Sequence, residues 1–118
     1  MFAYVVKCKF EPHASSVADD WLAWLRDGHL QDVIDGGANS AEVIELDPDK
    51  ADDENPVSDG SGLIARSFEI HYRFSSRAEF QKYESDHAPR LREEGLEKFP
   101  LHLGLTYQRA TGNITLNR

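Results

Sequence analysis

Residues 2 to 10 alternate between two kinds of position, with Phe2, Tyr4, Val6, Cys8 and Phe10 on one side and Ala3, Val5, Lys7 and Lys9 on the other. Successive side chains of a strand point to opposite faces, so this period of two predicts a first strand with one buried face. The period then lengthens. Val17, Trp21, Trp24 and Leu25 recur at helical spacing, with Ser15 or Ser16 placed to cap the helix and Asp19 in its first turn to favour the dipole. A bend is expected at Gly28, a restart through His29, Leu30, Val33 and Ile34, and a stop at Gly36-Gly37. Residues 41 to 46 read as a short second strand.

Residues 63 to 74 alternate again, with Ile64, Phe68, Ile70, Tyr72 and Phe74 opposite Ala65, Ser67, Glu69, His71 and Arg73. Ser75 or Ser76 caps a second helix whose inner stripe is Phe80, Tyr83, His87 and Leu91. Pro89 cannot donate a helical hydrogen bond, so a break is expected there, with Pro89 in the first turn of a restarted helix ending near Phe99. Leu101, Leu103, Leu105 and Tyr107 alternate with His102, Gly104, Thr106 and Gln108 as strand four, followed by a tail over residues 111 to 118.

Two strand-helix-strand halves in tandem suggest a single α+β domain over residues 1 to 118 with the ferredoxin-like order β-α-β-β-α-β. Right-handed crossovers then place both helices on one face of a four-stranded antiparallel sheet ordered 4-1-3-2. The other face carries a mixture: Ala3, Val5, Lys7, Ala65, Ser67, Glu69, His71, Arg73, His102, Thr106 and Gln108. A sheet with helices on one side must solvate or cover its second face, and two such sheets stacked together make a dimeric α+β barrel. A homodimer is the expectation, with a cavity that a small molecule could occupy.

Charge changes this picture at one place only. Of the net −8, residues 45 to 59 carry −6, from seven acids and one lysine. Residues 47 to 62, with Pro48, Pro56, Gly60 and Gly62, read as a long acidic hairpin connection, and Asp52 and Ser58 stand where an EF-hand loop needs Gly and Glu. An interaction module working through this hairpin is one functional alternative. The rest of the chain has no basic stripe to follow phosphates, which argues against nucleic acid. No apolar run approaches the roughly 20 residues of a membrane span, and no basic segment precedes the short apolar N-terminus, so neither a membrane protein nor a secreted one is expected. The expectation is a cytoplasmic protein.

Candidate chemistry rests on histidines. His87 lies on the apolar stripe beside Asp86 and the Pro89 break, where an imidazole could carry a proton near neutral pH. His29 holds the equivalent place in the first helix. Either could instead be structural, bonded to a carbonyl freed by its helix bend. His71, Glu69 and Arg73 share the second sheet face and would suit a small anion. Tyr83 and Trp24 could line a cavity, although aromatics at helical spacing commonly form core. Cys8 is the only cysteine and reads as a buried strand thiol; no H-x-H, H-E-x-x-H or paired-Cys spacing exists, so no metal and no cofactor is expected. His71 and His102 fall at opposite ends of the sheet and cannot share a metal within one subunit. Nucleophile elbows and glycine-rich phosphate loops are missing as well.

Trp21-Leu22-x-Trp24-Leu25-x3-His29-Leu30, together with Glu79-Phe80-x2-Tyr83-x3-His87-Ala88-Pro89-x-Leu91-Arg92-x-Glu94-x-Leu96-x-x-Phe99, resembles a small bacterial family known as domain of unknown function 4286. The likeness covers about residues 2 to 110. It implies a ferredoxin-like, barrel-forming fold and no particular activity. More distantly, a helix carrying a histidine is similar to the dimeric α+β-barrel superfamily, which includes cofactor-free monooxygenases, haem-degrading enzymes and lactone isomerases. That likeness implies a second alternative, a cofactor-free oxygenase or isomerase with His87 or His71 as base.

Overall fold

The N-terminal alternation becomes β1, Phe2–Phe10, in a computed structural model that describes residues 1–48 and 64–116. Its odd and even positions divide as the pattern requires: Phe2, Tyr4, Val6, Cys8 and Phe10 are buried, while Lys7 and Lys9 are exposed. β2 (Ser40–Glu45), β3 (Arg66–Phe74) and β4 (Leu105–Asn113) complete a four-stranded sheet ordered β2-β3-β1-β4, which is the expected 4-1-3-2 order read from its other edge. Every neighbouring pair is antiparallel. The connection over residues 47 to 62 falls almost wholly outside the described residues. Among the described residues no helix is long and apolar enough to cross a membrane.

Both helices are broken where the sequence suggested, by two different devices. The first runs as α1, Ser15–Trp24, then a π turn over Leu25–His29, then α2, Leu30–Asp35. The Leu30 N–H bonds the Leu25 carbonyl five residues back, so the bend is one inserted residue in the helical ladder and not a kink at Gly28. The second is α3, Arg77–Asp86, and α4, Ala88–Lys98, separated at His87, whose φ of −125° leaves the helical range, with Pro89 in the first turn of α4. Ser76 caps α3 by accepting the Glu79 N–H at 3.2 Å.

Four expectations need correction. Neither Ser15 nor Ser16 caps α1; a 3-10 turn at Pro12–Ala14 leads into it, and the Ser15 carbonyl instead accepts from Arg66 Nη1 at 3.1 Å. Leu101–Leu103 is a 3-10 turn closed by Gly104 at φ 104°, so β4 starts at Leu105 and extends through Asn113 into the stretch read as tail. His102 is therefore exposed on that turn and does not belong to the sheet face. β3 starts at Arg66, and Ile64 stands exposed outside it.

Aromatic rings fill the space between sheet and helices. Trp21 packs against Phe10 and Phe68, each with centroids 5.3 Å away, and Phe80 packs against Phe2, Tyr4 and Phe74 at 5.0 to 5.3 Å. At the α2 terminus, a Cβ on Gly36 would stand 2.9 Å from Tyr83 Cδ1 and 3.1 Å from His87 Cγ, so the missing side chain lets the end of α2 meet the α3 to α4 junction. At the sheet's far corner Arg66 ties three elements together, meeting Glu45 with two parallel hydrogen bonds of 3.0 and 3.1 Å and Asp19 at 2.8 Å.

Candidate functional site

The π turn decides how the first helix presents its side chains. Residues five apart in an α-helix lie about 140° apart around the axis, pointing to different faces. The wider turn brings them nearly into line, and the His29 ring stacks on Trp24 with centroids 4.2 Å apart and planes 21° apart. Trp24 rests in turn on α4, where a Cβ on Gly95 would meet its Cη2 at 3.2 Å. These rings form one wall of a cavity of about 50 Å³ between the helices and the inner side of β1, β3 and β4.

Across from them the cavity meets Tyr4, Tyr72, Tyr83 and Tyr107, and its charged groups are Arg92 from α4 and Arg109 from β4. Among the described residues no Asp or Glu lines it. Two buried side-chain nitrogens lack a hydrogen-bond partner among the described residues, His29 Nδ1 and Arg92 Nε, and both residues belong to this lining. Burial pushes His29 down to about 4 against the opposing pull of Asp32 and Glu94, so the ring is neutral at pH 7. Burial also works against charge on Arg92, but the Tyr4 hydroxyl and Glu84 outweigh it and hold the guanidinium protonated. Glu84 Oε2 is 3.7 Å from Arg92 Nη2, too far for a paired fork. Arg109 lies over the Tyr107 ring at 5.2 Å. Burial raises the Tyr83 hydroxyl to about 12, so it enters as a neutral donor or acceptor.

The sequence-derived candidates divide between the two sides of the sheet. Trp24, His29 and Tyr83 come together in the cavity. His87 is half-buried behind them, its ring 6.3 Å from Tyr83 and nearly parallel to it. His71, Glu69 and Arg73 lie on the opposite face, where His71 Nε2 is 2.8 Å from Glu69 Oε1 and Lys7 is 3.8 Å from Glu69 Oε2, with Arg73 exposed. His29 Nδ1, one of the two ring nitrogens that could bond a freed carbonyl, has no partner among the described residues. Cys8 is buried as expected, and burial raises its thiol to about 12, which leaves it unreactive. Among the described residues no three His, Cys, Asp or Glu side chains are grouped closely enough to hold a metal.

Arg92 and Arg109 were not legible as site residues in advance. A signal existed for Arg109: it follows Leu105 and Tyr107 at alternate positions, and a charge at core parity needs a reason. Arg92 flanks the Leu91 stripe and carried no such signal.

No curated protein matches the chain. Among solved structures, a dimeric ferredoxin-like protein from an uncultured marine organism aligns over 100% of this chain and 98% of its own, with 11% identity and a TM-score of 0.66. A second dimeric ferredoxin-like protein from an uncultured marine organism aligns over 99% and 97%, with 12% identity and a TM-score of 0.58. At such identities the likeness shows the fold alone, and that fold is ferredoxin-like. The model of the family described as "Domain of unknown function (DUF4286)" matches residues 1–106, from β1 into β4, and the chain belongs to this family.

Proposed function

We propose that the chain is a homodimeric domain whose protomers each bind a small molecule in the cavity between helices and sheet. The observation that carries this reading is the presence of His29 Nδ1 and Arg92 Nε, two buried and unpartnered nitrogens, in the lining of one aromatic-walled cavity. A buried polar atom without a partner costs about 1 to 3 kcal/mol, and a site that receives a ligand is a physical reason to keep two of them. A π turn inside a helix recurs at functional sites and supports the same place. The test follows ring and amide chemical shifts while phenol, benzamide and benzoate are added. Shifts concentrated at Trp24, His29 and Tyr83 are expected; shifts confined to His71 and Glu69 would move the site to the other face, and none at all would remove it.

The partner in the homodimer is assigned to the second sheet face. Its central rows, read across the sheet, are Glu42, His71, Val5, Ala110 and Ile44, Glu69, Lys7, Gln108. Small or apolar side chains at Val5, Ala110 and Ile44 adjoin the Lys7–Glu69–His71 cluster, a mixture that stacking against a second copy would cover, and both ferredoxin-like neighbours are described as dimeric. Light scattering at micromolar concentration should give twice the chain mass, and Val5→Glu, which puts a charge at the centre of that face, should give a monomer with the same far-ultraviolet circular dichroism. A monomeric parent would refute the assignment.

One observation favours a second reading, a cofactor-free oxygenase or isomerase. Two histidines stand at the cavity, His29 in its wall and His87 behind Tyr83, and in that reading one of them takes the proton. His71 would then serve only chemistry on the opposite face.

A further inference from the structure

The cavity carries a charge opposite to that of the protein around it. The chain has a net charge of −8, yet among the described residues the lining holds two guanidinium groups and no carboxylate. Its one imidazole is neutral at pH 7, and among the described residues no lining side chain carries a negative charge to compensate Arg92 and Arg109. Beside the Tyr4 hydroxyl, Arg92 has only a distant ion-pair contact at Glu84, and among the described residues its buried Nε N–H has no partner; that N–H is one arm of the fork that a carboxylate meets with two parallel bonds. The walls are flat: the indole of Trp24, the imidazole stacked on it, and the tyrosine rings.

We propose that the ligand is a small planar carboxylate, its carboxylate on Arg92 and Arg109 and its conjugated body along the Trp24 and tyrosine rings. This rests on the ligand-binding reading above and names its chemical class. The lining includes two exposed residues, Arg109 and Leu96, so the site opens to solvent. His29 is neutral, so its Nδ1 either donates to one carboxylate oxygen or accepts from a hydroxyl beside it.

Benzoate, benzamide and inorganic phosphate separate the possibilities, because the first two have nearly the same shape and differ in charge, while phosphate has charge without a ring. Titrations monitored by tryptophan fluorescence and calorimetry should show benzoate binding at least tenfold more tightly than benzamide and than phosphate. Arg109→Gln, an exposed position that the fold tolerates, should weaken benzoate tenfold or more and leave benzamide within about twofold. Arg92→Gln should do the same, with Arg92→Lys as the variant to use if the glutamine protein does not fold. Equal binding of benzoate and benzamide, or benzoate binding unchanged by Arg109→Gln, would overturn the carboxylate class while leaving a ligand site in place. Phosphate binding as tightly as benzoate would overturn the planar body. Failure of all three probes to bind would overturn the ligand-binding reading itself.

Discussion

Trp21→Ala should lower the unfolding free energy by roughly 3 to 5 kcal/mol, the range for emptying a buried aromatic position whose surroundings cannot collapse. Trp21 is 1% exposed and sits between Phe10 and Phe68, which belong to two adjacent strands fixed in register by the backbone ladder. Those strands cannot move inward independently to fill the void. The indole Nε1 also donates to the Tyr107 hydroxyl at 3.2 Å, so the substitution removes a partner from a partly buried hydroxyl as well as the packing. Against a typical domain stability of about 5 to 15 kcal/mol, this is about a fifth of the total or more. Urea unfolding with a common slope measures it. Trp24→Ala makes the comparison, since Trp24 is only partly buried in the cavity wall and should cost clearly less. Equal losses for the two tryptophans would mean that the cavity is part of the closed core.

The second large effect is a pH dependence that belongs to His29. In the folded chain burial holds this imidazole near 4, while an unfolded imidazole titrates near 6.5. Between these values the unfolded chain holds more protons, so acidification favours unfolding. The contribution is intact above about pH 6.5, falls as the pH drops towards 4, and levels off below that. Its size is on the order of 3 kcal/mol, from a shift of about 2.5 units at 1.36 kcal/mol each. Asp32 and Glu94 act in the other direction by favouring the charged ring, and Arg92 and Arg109 are the cations in the same lining. The parent should therefore lose about 3 kcal/mol of stability relative to His29→Gln as the pH falls from 7.5 to 4. Parallel curves would mean that the ring is hydrated and titrates normally. Benzoate should raise the parent's stability most where its carboxylate is ionised, above about pH 5, and this separates ligand linkage from the histidine term.

How far the site was legible follows from what each signal measures. Alternation placed Phe2 to Phe10 on the correct faces because a strand has only two, and Pro89 forced a helix break because it lacks an N–H. Trp24, His29 and Tyr83 were identifiable as unusual positions on apolar stripes. Their meeting was not identifiable, since it depends on a π turn that no residue type marks: Gly28, the residue expected to bend the helix, lies inside that turn, but no close approach there requires a glycine. The grouping of His71, Glu69 and Arg73 was correct as a statement of parity, and the same parity kept them away from the cavity, because the sheet itself stands between.

The sequence by itself determined the alternating faces, the order of elements, the positions of both helix breaks and the concentration of acid in one connection. These are local properties, fixed by side-chain period, by proline and by composition. Only the tertiary structure decided that Arg92 and Arg109, 17 positions apart on a helix and an edge strand, line a cavity with His29 from another helix. Such a meeting depends on how helices cross a twisted sheet and on one extra residue in a helical turn, which shift side chains by several ångströms without leaving a period in the sequence.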